Sequence, residues 1–294
     1  MIDQLGLIGC GLMGGSLALA LKRAGLVRKV VGYSLSPSSS QRALELGVID
    51  VAAPSALMAA AGSDVVMLAV PVNATEHTLK AIRPVIEPHT LIMDMGSTKR
   101  DVVDAARRAL REQISHFVPA HPIAGRELAG VDNADAHLYT DRQVILTPIE
   151  RTGAMQTERA HAIWTALGCH VRRMSPEAHD AAYAAVSHLP HLLAFAAMNA
   201  IQRQPESAEF LELAGPGFRD FTRIAASDPT IWRDILMSNR EELLGQIRHF
   251  EQALQAFADA LQQGRAEAIA DLVTEASRSR SQWRMHNPKT TASA

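Results

Sequence analysis

The sequence predicts an α/β half built on a parallel sheet, followed by an all-α half. Three observations predict this. Up to residue 174, short apolar runs alternate with amphipathic stretches of helical period. Those runs are apolar on both faces, as strands are when helices cover a sheet on both sides. After Ser175-Pro176 the strand-like runs stop and only helical patterns remain. The expected organisation is therefore residues 1–174, residues 175–286 and a tail over 287–294.

Taken in order, the expected strands are residues 5–8, 30–33, 65–70, 91–95, 117–120 and 144–146, with a further one at 170–173. Helical patterns fall between several of them, at residues 14–24, 41–46, 75–82, 99–111 and 155–167. Pro119 marks an edge position or a bend in its strand, because proline has no N–H to donate to a ladder. In the second half, residues 176–201 read as a long helix interrupted by Pro190, and residues 208–213 as a further helical piece broken by Gly215-Pro216-Gly217. Asp228-Pro229 is a helix start, with Asp as the cap and Pro at the first helical position. Trp232, Leu236, Leu243, Ile247, Phe250, Leu254, Phe257 and Leu261 then recur about every 3.6 residues, the pattern of one straight amphipathic helix. A small helical domain has little core of its own, so this half is expected to pair with a second copy of the chain.

Composition excludes several classes. Of the 294 residues 47% are hydrophobic, enough for a substantial buried core and against disorder. A formal net charge of −2 gives no broad electrostatic footprint for nucleic acid or an anionic membrane. Two cysteines, Cys10 and Cys169, cannot make a disulfide framework or a multi-cysteine zinc site, and they suit a reducing cytoplasm. No run of apolar residues reaches the length of a membrane span, and the N-terminus lacks the basic patch of a signal peptide. The expectation is a soluble cytoplasmic protein with no membrane or nucleic-acid partner.

The strongest local signal is Gly9-Cys10-Gly11-Leu12-Met13-Gly14-Gly15, after an expected strand and opening an expected helix. It reads either as a plain β-to-α turn or as a dinucleotide loop. In the second reading Gly9 makes the turn, Gly11 admits the pyrophosphate and Gly14 lets helix and strand pack closely. Leu12 and Met13 lie at the helix N-terminus, where free N–H groups face phosphate. Val70, ending the strand at 65–70, completes the candidate cofactor contacts. Ser34 stands where an NAD-preferring site usually has an acid that binds the ribose hydroxyls. A serine tolerates a 2′-phosphate, so the expected cofactor is NAD(P)+, with NADP+ or dual use favoured over strict NAD+. Cys10 reads as a small residue that fits the loop.

Three later segments carry candidate chemistry. Ser97, in Gly96-Ser97-Thr98-Lys99, is either a helix cap or a hydroxyl facing the crevice at the carboxyl end of its strand. His121 follows the next strand, and a histidine there either satisfies itself structurally or takes a proton from an alcohol. Ser187-His188-Leu189-Pro190-His191 interrupts a helix, where Pro190 crowds the carbonyl of Val186 and predicts a kinked site wall. His188 and His191 have no third partner in sight for zinc, so no metal is expected. Arg219 and Arg223, four apart, either clamp a carboxylate or pair with neighbours such as Asp220.

The combination GCGLMGGS, MDMGSTK, HPIAG, SHLPH and FRDFTRIAASDPTIWRDI resembles the prephenate/arogenate (cyclohexadienyl) dehydrogenase family over residues 6–242. The last two motifs are far more specific than the glycine loop. The resemblance implies a Rossmann-type dinucleotide-binding domain followed by an all-helical dimerisation domain. It also implies oxidative decarboxylation of prephenate or arogenate with hydride transfer to NAD(P)+, in tyrosine biosynthesis, by a stand-alone homodimer. By motif, His121 matches the catalytic histidine, and Ser97 the serine that holds it and the substrate hydroxyl. Arg223 matches the arginine on the ring carboxylate, Ser187 and His191 match pocket positions, and Trp232 lies near them. His188 and His191 are candidates for the end that distinguishes prephenate from arogenate. Two other readings compete: a Rossmann-plus-helical reductase of a β-hydroxy acid or imine, and a dinucleotide sensor without turnover.

Overall fold

Six parallel strands form the central sheet, in the order β3-β2-β1-β4-β5-β6. They are β1 (Ile2–Ile8), β2 (Val27–Tyr33), β3 (Val51–Ala52), β4 (Val65–Leu68), β5 (Leu91–Asp94) and β6 (Phe117–Val118). The structure, a computed structural model, describes residues 1–125 and 128–284, so the expected tail lies outside the described residues. Successive side chains of a strand point to opposite faces. Leu5, Leu7, Val30, Met67 and Met93 accordingly join one core, and Ile8, Val31, Val66, Leu68 and Ile92 the other. Helices α1 (Leu12–Arg23) and, later in the chain, α6 (Ala154–Ala166) cover the first face through Leu17, Leu21, Ala160 and Trp164. Helices α3 (Ala56–Ala60), α4 (Thr75–Ile82) and α5 (Arg100–Leu110) cover the second; α2 (Pro37–Glu45) follows β2. Each fully buried aliphatic side chain contributes about 1.5–3 kcal/mol. The strand order reverses between β1 and β4, and a sheet of this type opens a ligand crevice at the carboxyl ends there.

The strand expected over 117–120 is two strands. Pro119 cannot extend the ladder, so β6 ends at Val118 and β7 (Ala120–Pro122) turns into a second sheet with β8 (Gln143–Leu146) and β9 (His170–Arg173). In it β7 pairs antiparallel with β8, and β8 parallel with β9, so the last strands do not extend the large sheet as the alternation suggested. β3 and α3, with two and five residues, are too short for any periodicity to reveal.

Beyond Ser175 the chain is helical. α7 (Pro176–Tyr183), a π turn (Ala184–His188) and α8 (Leu189–Gln202) form one uninterrupted run. The kink expected at Pro190 takes the form of the π turn, whose wider loops ease the carbonyls facing the proline ring. α9 (Ser207–Glu212), α10 (Pro216–Thr222) and α11 (Pro229–Ser238) follow, and the Asp228 side chain accepts from the N–H groups of Thr230 and Ile231, at 2.9 Å each. The single straight helix expected beyond Asp228 divides at Asn239: α12 (Arg240–Gln262) begins afresh, and α13 (Ala266–Gln282) follows. Apolar periodicity is blind to a one-residue interruption, and Asn239 leaves helical geometry with its side chain bonded inward.

Two compact units result, the first ending at Asn239 and the second starting at Arg240. Helices α7–α11 therefore group with the sheets, although composition changes at residue 175. The run Pro176–Gln202 also corrects the reading that no segment is long and apolar enough to span a membrane. Its 27 residues, with a mean hydropathy of 1.3 in the most apolar window, suffice by length and composition. Buried His179, Asp180 and His188 on this run make it the wall of a polar site instead.

Candidate active site

The glycine loop fits a dinucleotide. Gly9 has φ +99°, and a Cβ there would lie 2.2 Å from the Ala69 carbonyl oxygen. A Cβ at Gly14 would lie 2.1 Å from the Gly9 carbonyl oxygen, whereas one at Gly11 would meet nothing within 4 Å. Gly11 is also the N-cap of α1 and offers no side-chain cap, so the first N–H groups of the helix, at Leu12 and Met13, stay available to an anion. The buried Tyr139 hydroxyl donates to the Met13 carbonyl at 2.6 Å and holds this turn. Ser34 is placed differently from the expectation. Its hydroxyl oxygen accepts from the Cys10 N–H at 2.9 Å, and its own N–H donates to Ser40 Oγ. It braces the glycine loop through these two bonds. Burial pushes the Cys10 thiol up, away from thiolate chemistry.

Next to the loop lies a cavity of about 210 Å³ whose lining includes Met13, Val70, Ser97, Ile231, Asp234 and Ile235. The structure thus brings together Met13, Val70 and Ser97, three of the expected residues, under a cover from α11. Asn73 Nδ2 donates to Asp234 Oδ2 at 2.6 Å and ties that cover to the segment after β4.

The segment carrying His121 is held by a buried ion pair. Lys99 Nζ lies 2.5 Å from Asp94 Oδ2 and donates to the Ala120 carbonyl at 2.7 Å, while Asp94 Oδ1 accepts from the Ala120 N–H at 2.9 Å. Asp94 and Lys99 flank Ser97 in sequence and grip the residue before His121, so the two expected catalytic residues sit on one brace. Neither Ser97 nor Thr98 caps α5. Asp180, on α7, accepts from the N–H groups of Lys99 (2.8 Å) and Arg100 (2.9 Å) instead. A cap some 80 residues away cannot be read from local sequence.

The ring nitrogen Nδ1 of His121 lies 2.8 Å from Nε2 of His179, and Nδ1 of His179 lies 2.7 Å from Asp180 Oδ1. Thus His179 holds Nδ1 of His121. Tyr183 packs against both rings, at 4.9 Å from His121 and 4.5 Å from His179 between centroids. Burial pulls His121 well below the ordinary histidine pKa, and His179, Lys99 and His188 reinforce it. For Asp180 burial acts upward, but His179 and the two backbone N–H groups outweigh it and hold the carboxyl down. Sequence reasoning missed His179, Asp180, Asp94, Lys99 and Asn239. The available signal was a polar His-Asp pair in the Ala-rich first turns of a helix.

Around the π turn, the expected pocket residues also meet. Asn239 Nδ2 donates to the Asp180 carbonyl at 2.8 Å and lies 3.0 Å from His188 Nδ1. Burial pushes His188 down to about 4, and its Nε2 has no protein partner. His191 Nδ1 donates to the Ser187 carbonyl at 2.9 Å, which leaves Nε2 as an acceptor, and its ring stacks on Trp232 at 3.6 Å. The groove beside Trp232 is lined by Phe195, Phe218, Thr222 and Ala226. Arg223 opens the turn Arg223–Ala226 on that rim, and Arg219 pairs with Asp220 at the surface. The structure thus places Arg223 by the groove.

Comparison with known proteins assigns this architecture. Residues 17–173 match the family model of the prephenate dehydrogenase nucleotide-binding domain, and residues 175–275 that of the prephenate dehydrogenase dimerization domain. The chain is 35% identical to the prephenate dehydrogenase of Bacillus subtilis over 92% of its own length and 73% of that protein. It is 33% identical to the cyclohexadienyl dehydrogenase of Zymomonas mobilis, over 85% of each. The crystal structure of the Aquifex aeolicus prephenate dehydrogenase in complex with hydroxyphenyl propionate and NAD+ superposes with a TM-score of 0.90, at 35% identity, covering 96% of this chain and 98% of that one. With a Rossmann-type sheet, a fitted glycine loop and both domains matched, the chain belongs to the prephenate dehydrogenase family of nicotinamide-dependent oxidoreductases.

Proposed function

We propose that His121 is the group around which this chain carries out its family's reaction, the oxidative decarboxylation of prephenate in tyrosine biosynthesis. The observation that carries this reading is a closely surrounded histidine, kept neutral by burial, on the brace that also carries Ser97 beside the cofactor cavity. Prephenate bears a hydroxyl and a hydrogen on one ring carbon, and a carboxylate on the carbon across the ring. A bound nicotinamide ring supplies the acceptor for the hydride that leaves the hydroxyl-bearing carbon. His121, being neutral, accepts a hydrogen bond from the hydroxyl and takes up its proton. Loss of carbon dioxide makes the product ring aromatic, so the chain's task is orientation and polarisation. Ser97 faces the same cavity and orients the hydroxyl. Arg223 anchors the ring carboxylate from the groove rim, with Ser187, His188, His191 and Trp232 walling the pocket. Overstabilising that carboxylate would oppose the reaction, since its charge is lost in the transition state.

Gly9, Gly11, Leu12, Met13, Gly14 and Val70 would hold the dinucleotide. Asp and Glu are absent from residues 33–41 after β2, so NADP+ or dual use is favoured. The working form is a homodimer paired through the helices that follow Ser175. Two free, buried cysteines suit the cytoplasm. Rates of nicotinamide reduction with prephenate or arogenate, each with NAD+ or NADP+, test all of this together. Turnover with either substrate supports the reaction, and the ratios give substrate and cofactor preference. Silence in all four with dinucleotide binding retained would transfer the reading to a reductase of a β-hydroxy acid or imine.

A further inference from the structure

His121, His179 and Asp180 form a hydrogen-bonded chain, and the reading above uses only its first member, His121. The hydrogen bonds of Asp180 decide where the remaining protons lie. Backbone N–H groups can only donate, so a carboxylate that receives those of Lys99 and Arg100 is held as an acceptor. Its third partner, Nδ1 of His179, must then carry a hydrogen. A neutral His179 has its lone pair on Nε2, and the nitrogen 2.8 Å away, Nδ1 of His121, must donate to it. The proton of His121 therefore sits on Nδ1, and Nε2 is left as the acceptor. Two backbone amides at the start of α5 thus dictate a tautomer two side chains away.

We propose that His179 and Asp180 are positioning residues that hold His121 in its Nδ1–H tautomer, and that His179 receives the positive charge as His121 accepts a proton. The step balances. The substrate hydroxyl proton goes to Nε2 of His121, the Nδ1 proton of His121 passes to Nε2 of His179, and Asp180 stays ionised against the Nδ1–H of His179. The positive charge ends beside the Asp180 carboxylate. The groups facing the pair are Asp94 from β5, Lys99 at the N-cap of α5, Tyr183 and Asp180 from α7, and His188 from the π turn. Burial keeps His179 neutral at rest, with Asp180 opposing. A carboxylate that orients an imidazole and stabilises its charged form is worth several orders of magnitude in serine proteases.

The proposal rests on His121 being the acceptor, and the experiment separates the two. Full-length wild type, His121→Asn, His179→Leu and His179→Gln are compared for kcat, KM for prephenate and dinucleotide affinity. Nitrogen-15 NMR of the histidine rings reports the tautomer, with the His121→Asn variant identifying the His121 signals. His179→Leu should lower kcat about 100-fold or more, with dinucleotide affinity within about threefold, and should let His121 populate both tautomers. In His179→Gln the amide can still donate to Asp180 and accept from His121, so the tautomer should persist while kcat falls about tenfold for want of a group to charge. A His121 that stays purely Nδ1–H in His179→Leu overturns the tautomer assignment, and wild-type kcat in His179→Gln overturns the charge transfer. If His179→Leu does not fold, His179→Gln decides on its own. Wild-type turnover in His121→Asn would instead remove His121 from the chemistry, whatever the His179 variants do.

Discussion

At His121 the dominant influence on protonation is burial, and neighbouring charges add to it in the same direction. The sequence alone places this histidine near its ordinary pKa of about 6.5, and so an acid limb of activity there. The structure moves that limb to lower pH. Protonated His121 cannot accept, so activity is present above its folded pKa and lost below it. The pH profile of kcat/KM should be flat through pH 6.5 and fall on the acid side, and a midpoint at or above 6.5 would contradict the burial argument. His121→Asn should lower turnover by about two to four orders of magnitude with dinucleotide affinity intact, as measured by steady-state rates and fluorescence titration. A second consequence concerns stability. His188 is held at about 4 in the folded chain against about 6.5 unfolded, so the unfolded chain binds the extra proton first. Stability is complete above about pH 6.5 and declines towards pH 4, by on the order of 3 kcal/mol from this residue. Thermal unfolding between pH 7 and 4 should show the decline, and His188→Gln should make it shallower.

Among the elements, the glycine loop and the β5–α5 brace each make a contrast that one substitution can read. Gly14→Ala puts a methyl 2.1 Å from the Gly9 carbonyl oxygen, and backbone cannot yield there; it should destabilise the fold. Gly11→Ala meets nothing in the protein and should leave the melting temperature within about 2 °C while weakening dinucleotide affinity, because the methyl occupies the pyrophosphate's approach. Equal losses of stability in the two variants would refute these separate roles. Lys99→Met leaves Asp94 buried without its counter-charge and should cost about 3–5 kcal/mol, read by chemical denaturation. The loop and most strands were legible because each is a local pattern: apolar runs, turn glycines, a β-to-α transition. The division at Pro119 was flagged by the missing N–H of proline, but its consequence, a second sheet carrying His121, depends on pairing with β8, some 20 residues on. The Asp180 cap on α5 and the His179 contact link segments 58 to 81 residues apart, and nothing local in either segment announces the other.

For the whole molecule, the composition change at Ser175 and the boundary of the compact units at Asn239 measure different things. The first marks where strands end, and the second where packing regroups, because α7 and α11 supply Asp180 and Asp234 to sites built on the sheet side. Helices after Ser175 carry large apolar side chains that the single chain leaves uncovered: Val186 is 71% exposed, Leu213 77% and Met237 61% in the first unit, and Leu254 and Leu261 are 56% and 69% exposed on α12. Isolated exposed apolar residues are ordinary on a monomer, but a succession of them along helices otherwise short of core marks a surface meant to be buried. Pairing two copies through these helices, as proposed above, would cover them. The chain should therefore sediment as twice 31.8 kDa at micromolar concentration. Since association stabilises only the folded form, its melting temperature should rise with protein concentration. A mass of 31.8 kDa with a concentration-independent melting temperature would show that the exposed faces serve something other than a second copy.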